Sequence, residues 1–188
     1  MKLSGSYQIN LEKQKVWEAL NNPEILKKSI PGCEEFVKKS ETEFTATATN
    51  KIGPFNATFT GDIELKDLDP PNSYKIIGSG NSPVGFANGE ASVTLEDFED
   101  GTNLKYSVEA NVGGKIAQVG SRLIDMTAKK MADIFFGKFV ELITTKTTTE
   151  KVKKVNEDKI QSQKEPINKI FIVLPVLIII GIILYYLN

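Results

Sequence analysis

The sequence predicts an α+β fold, in which a curved antiparallel sheet of about seven strands wraps a long helix, with a membrane-spanning helix after it. Three features of the chain point to this. From Glu34 to Gly113 apolar residues recur at every second position, interrupted by turn residues. Beyond Gly114 the period lengthens to that of a helix with one broad apolar face. Residues 170–187 contain no charged side chain and no side-chain amide.

The elements follow in order. Leu3, Gly5, Tyr7 and Ile9 alternate with Ser4, Ser6 and Gln8, which reads as a strand over Leu3–Leu11. Val16, Trp17 and Leu20 share one face of a short helix over Glu12–Asn21. A second short helix starts at Pro23, a residue suited to a first helical turn, and stops at Ile30-Pro31-Gly32. Six strands come next: Glu34–Ser40, Glu43–Lys51, Phe55–Leu68, Ser73–Gly80, Gly85–Phe98 and Thr102–Val112. Gly53-Pro54, Asp69-Pro70-Pro71-Asn72, Asn81-Ser82-Pro83 and Glu99-Asp100-Gly101 break them, and connections this short make antiparallel neighbours. Ile116, Val119, Leu123, Ile124, Met131, Ile134 and Phe135 then mark an amphipathic helix over Lys115–Ile143. A long sheet curls and needs one face covered, and this helix is the cover. The order is that of a helix grip, an incomplete barrel closed on a helix.

Residues 1–143 form this domain, 144–169 a Lys/Thr-rich flexible linker, and 170–188 a tail anchor. The apolar run would be about 27 Å long as a helix, close to the ~30 Å hydrocarbon thickness. Seven lysines against four carboxylates in 144–169 place the N-terminal domain on the cytoplasmic side. Those lysines either contact anionic headgroups or simply solvate a linker poor in large apolar residues.

Composition removes whole classes of chemistry. The chain has no His and one Cys, so Ser-His-Asp devices, His-ligated zinc and an intrachain disulfide are excluded. A net charge of −1 argues against nucleic-acid binding. Asp62 and Glu90 fall on outward phases of their strands, so no carboxylate pair converges on the interior.

The inward phases are rich in Ala and Gly: Ala46, Ala48, Ala57, Gly61, Gly78, Gly80, Gly85, Ala87, Gly89, Ala91 and Ala110. Interiors pack densely. Small residues under a curved sheet therefore mean either close approach of the helix or an apolar space of a few hundred Å³. In the second case the wall is expected to be Phe55, Phe59, Tyr74, Ala87, Tyr106 and Val108, facing Leu123, Ile124 and Met131. Gly113-Gly114 either offers free amides to an anion or makes a strand-to-helix turn. Arg122, the sole arginine, either meets a polar ligand head or lies on the surface. Cys33 reads as a buried, unreactive thiol.

The run Val112-Gly113-Gly114-Lys115-Ile116-Ala117-Gln118-Val119-Gly120-Ser121-Arg122-Leu123-Ile124 resembles the signature of the CoxG family, named for a subunit of carbon monoxide dehydrogenase. Ile30-Pro31-Gly32-Cys33, Phe55 after Gly53-Pro54, Gly78-Ser79-Gly80 and Gly85-Phe86-Ala87-Asn88-Gly89 fit it too. The resemblance covers residues 1–143. It implies a START-like domain that holds hydrophobic molecules, in a non-enzymatic accessory protein of the cell membrane. It further implies recruitment of a molybdenum carbon monoxide dehydrogenase or related hydroxylase, and non-covalent carriage of a quinone, menaquinone-like, from the bilayer. No motif here would hold molybdenum, flavin or an iron–sulfur cluster. Two other readings remain open at this point: a ligand-free recruitment scaffold, and a cyclase-like enzyme acting on a hydrophobic substrate.

Overall fold

The computed structural model describes the backbone of residues 1–160 and the side chains of residues 1–145. Strand β1 (Lys2–Ile9) is followed by helices α1 (Lys13–Leu20) and α2 (Pro23–Ser29). Then come β2 (Cys33–Lys38), β3 (Glu43–Ile52), β4 (Phe55–Asp69), β5 (Ser73–Ser82), β6 (Gly85–Phe98) and β7 (Gly101–Gly113). A short 3₁₀ turn over Lys115–Val119 leads into α3 (Ser121–Ile160). The seven strands form one antiparallel sheet in the order β1-β7-β6-β5-β4-β3-β2. Each strand from β2 onward pairs with its successor, as short connections require, and β1 closes on β7.

Local chemistry sets the two short helices. The Asn22 side chain caps α2 by accepting from the amides of Glu24 and Ile25 at 3.0 and 3.3 Å. Pro23 opens the helix, and Lys27 and Lys28 sit in its last turn, where the dipole favours cations. Ile30 then turns to extended backbone, as a residue before proline must. Gly32 has φ +68°, and a β-carbon there would lie 2.0 Å from the Thr49 carbonyl oxygen. Only glycine lets this turn lie so close to β3.

The core gathers at one end of the grip. Val16, Leu104 and Phe139 are fully buried, and Ile9, Leu95 and Ile143 nearly so. Trp17 meets Tyr74 edge-on with ring centroids 5.3 Å apart. Phe135 stacks on Phe139 at 5.8 Å and crosses Phe136 at 4.9 Å, so the middle of α3 carries the aromatic contacts.

The last helix differs from its expected range at both ends. Residues 115–119 form a separate 3₁₀ turn, because Gly120 adopts φ +88° and interrupts the winding. The helix then runs past Ile143 to Ile160. No Pro or Gly stands between Gly137 and Pro166 to stop it. The expected linker thus begins inside a helix. Among the described residues no helix is long and apolar enough to cross a membrane. The expected anchor, 170–188, lies outside the described residues.

Candidate functional site: an apolar cavity under the sheet

Cross-strand register fixes which side chains share the inner face. One row reads Tyr74, Val93, Tyr106 and Gly5 across β5, β6, β7 and β1. The next reads Leu65, Ile76, Ala91, Val108 and Leu3. A third runs Phe44, Ile63, Gly78, Gly89 and Ala110. Between the first two rows and α3 lies a cavity of about 490 Å³. Leu20, Leu26 and Ile30 wall it from the α1–α2 side, and Ala128, Met131, Ala132, Phe135 and Phe136 from α3. The volume falls within the range of small-molecule sites, about 300–1,000 Å³. Of the small residues on the inward phases Ala91 alone borders this space, and Ala128 and Ala132 of α3 are the other small residues of its wall.

Four of the residues expected on the wall stand there together: Tyr74, Tyr106, Val108 and Met131. Phe55, Phe59, Ala87, Leu123 and Ile124 do not border this cavity. The three strand residues share the inward phase but sit further along β4 and β6, and Leu123 and Ile124 lie in the first turn of α3. Ala87 pairs with Gly80 and Val112, two positions along β6 from the row of Gly78 and Gly89. The Phe59 ring lies over Gly80, and the Leu123 side chain packs against Gly53 at the β3–β4 turn. Period-two alternation gives the face of a strand but not the distance along it at which the helix stands off.

Gly113, Gly114 and Arg122 also lie apart from the cavity. The Phe86 ring occupies the place where a Gly113 side chain would project, and a β-carbon on Gly114 would lie 2.6 Å from Gly85. Gly114 also has φ +83°. Both glycines thus have a packing reason for being glycine. Arg122 is exposed. Cys33 is half-buried rather than buried, its thiol facing the Glu35 carbonyl at 3.3 Å. Burial raises its pKa, against the smaller opposing effect of Lys27.

Sequence reading named no site residue on α1 or α2, nor Phe135 and Phe136. The signal was present: Leu65, Ile76 and Ala91 share the inward phase, and Leu20 and Leu26 are apolar positions of short amphipathic helices. What was missing was how the two helices fold across the open end of the sheet.

The cavity is nearly all carbon. Among its polar groups, the Asn50 amide donates to the Pro31 carbonyl at 3.0 Å and the Met1 ammonium to the Ala110 carbonyl at 2.6 Å. Tyr106 lies beside Tyr7, whose hydroxyl donates to Asp133 at 2.7 Å. Burial first, then the negative charge of Asp133, raise the Tyr106 pKa, and the Tyr7 hydroxyl opposes them. Tyr74 is 5 % exposed, and burial alone raises its pKa. No carboxylate lines the cavity, and Asp62 and Glu90 are exposed on the outer face of the sheet. No cluster of metal-ligating side chains occurs among the described residues.

A curved sheet closed on a helix around an apolar space is a helix-grip domain of the START-like kind. The chain belongs to the carbon monoxide dehydrogenase CoxG family, whose sequence pattern matches residues 5–144. It is similar to a conserved protein from Geobacillus kaustophilus of known crystal structure, with 32% identity and a TM-score of 0.74, covering 77% of this chain and 96% of that one. The fold is shared with protein Ms6760 from Mycobacterium smegmatis at 17% identity and TM-score 0.59, covering 77% and 92% of the two chains. It is also shared with the ZhuI aromatase/cyclase from Streptomyces sp. R1128 at 11% identity and TM-score 0.55, covering 78% and 95%. No curated protein is matched by this sequence.

Proposed function

We propose that this protein is a membrane-tethered accessory protein of a molybdenum carbon monoxide dehydrogenase or related hydroxylase. Its domain takes a quinone, menaquinone-like, from the bilayer into the cavity and presents it to the enzyme. The observation that carries this reading is a space of about 490 Å³ walled by aliphatic and aromatic side chains. Burying apolar ligand surface there stabilises the complex by about 25 cal/mol per Å² before association costs. Family membership supports the dehydrogenase as partner, and the uncharged run at 170–187 supports the tether.

The test is native purification, solvent extraction and mass spectrometry. An isoprenoid quinone in stoichiometric amount is the expected result. A chain free of such lipid that also fails to take up quinone in titration would leave only the recruiting role. Removing residues 170–188 should move the protein from the membrane pellet to the soluble fraction. A truncated chain still in the pellet would refute the tether.

A further inference from the structure

Tyr74 stands out from the rest of the cavity wall. Its ring is held edge-on against Trp17, and the side chain is almost wholly buried. Its hydroxyl makes no hydrogen bond to any described residue, and burial is the sole influence on its pKa. The other polar wall groups have protein neighbours: Asn50 the Pro31 carbonyl, Met1 the Ala110 carbonyl, and Tyr106 the Tyr7 hydroxyl. The oxygen is not sealed off: among the described residues no fully enclosed side-chain oxygen or nitrogen lacks a hydrogen-bond partner, so this hydroxyl keeps open space beside it. Buried Tyr oxygens in folded proteins normally find a partner. Here the partner is not protein, and the hydroxyl belongs to a side chain lining an otherwise apolar space large enough for a ligand.

We infer that the Tyr74 hydroxyl is the hydrogen-bonding anchor for one oxygen of the cavity's ligand, donating to a carbonyl and thereby selecting a carbonyl-bearing ring over a plain hydrocarbon. This rests on the carrier reading above and specifies the polar end of the ligand. A phenol both donates and accepts. The same anchor therefore serves a quinone carbonyl and the hydroxyl of its reduced form, so a carrier so equipped holds either redox state. Sites built to bond one polar group reject analogues lacking it, because their own group is then left unpaired.

The experiment uses the full chain in a fixed detergent concentration, so that probe partitioning is common to all measurements. Menadione (2-methyl-1,4-naphthoquinone) and 2-methylnaphthalene, which share a ring skeleton, are titrated calorimetrically into the native protein and Tyr74→Phe. Native protein should prefer the quinone by about tenfold, the effect of one well-made hydrogen bond. Tyr74→Phe should bind the quinone about five- to tenfold more weakly and the hydrocarbon as well or better. An unlowered thermal midpoint for Tyr74→Phe confirms that the variant folds. Native-like quinone affinity in Tyr74→Phe overturns the anchor and leaves the carrier reading standing. Failure of both probes to bind the native protein overturns both.

Discussion

The hydroxyl of Tyr7 donates to Oδ1 of Asp133 across 2.7 Å, joining the first strand to the last helix. The Tyr7 ring also stacks on Phe136 with centroids 4.2 Å apart. Sheet and helix are thus clasped beside the cavity by a ring stack and one bond. Tyr7→Phe keeps the stack and deletes the bond. It should lower stability by about 1 kcal/mol, read as a shifted urea midpoint with unchanged slope. No shift would mean that water replaces the bond at no cost.

Alkaline pH should weaken the fold. Tyr7, Tyr74 and Tyr106 all have pKa values raised above the ordinary 10.0. Burial is the first cause in each, with Asp133 adding to the effect at Tyr7 and Tyr106. A raised folded-state pKa favours the protonated phenol, so this stability is fully present below about pH 10 and is lost as pH rises above it. Tyr74→Phe should lose less stability between pH 9 and pH 11 than the native chain. At pH 7 the two should be of about equal stability, because the hydroxyl is not an enclosed unpaired group and its removal breaks no bond within the protein. Urea titrations across that range check both, and equal slopes for the two proteins would sink the assignment.

Two alanines on one strand separate the cavity from its surroundings. Ala91 borders the space and Ala87 does not. Ala91→Trp should fill the cavity and abolish quinone uptake. The overpacking cost, about 1–3 kcal/mol in a dense core, should be smaller here because the space is open. Ala87→Trp should leave uptake in place. Uptake lost in the second variant and kept in the first would move the site to the other end of the sheet.

The turn at Gly32 should tolerate no side chain. Its φ of +68° alone makes a non-glycine residue cost about 1–3 kcal/mol, and the Thr49 carbonyl oxygen stands where the β-carbon would go. Gly32→Ala should therefore shift thermal unfolding downward by several degrees. A native-like midpoint would show that the loop between α2 and β2 relocates freely.

The sheet was legible because alternation and turn chemistry agreed. Asp69-Pro70-Pro71-Asn72 cannot continue a strand, and Tyr74, Ile76 and Gly78 on one side phase with Ile63 and Leu65 on the other. The helix ends were not legible. Whether Gly120 interrupts the winding depends on the positive φ it adopts, which composition does not reveal. Beyond Ile143 a polar run of Thr, Lys and Glu has the composition of a linker yet lacks any helix breaker before Pro166. The site was legible by half. Tyr74, Tyr106, Val108 and Met131 followed from phase, whereas the exclusion of Phe59 and Leu123 depends on where the helix stands away from the sheet.

Strand β1 lies at an edge of the sheet, and its partner is the last strand: Lys2 stands opposite Glu109. Every other pairing joins neighbours in sequence and can form as soon as a hairpin has left the ribosome. The first strand to be synthesised is therefore the last that can pair. At about 5–20 residues per second it waits several seconds for β7 to emerge, with its edge open. Nascent chains halted before residue 101 would lack this closure, and their unpaired edges are the natural substrate for a chaperone.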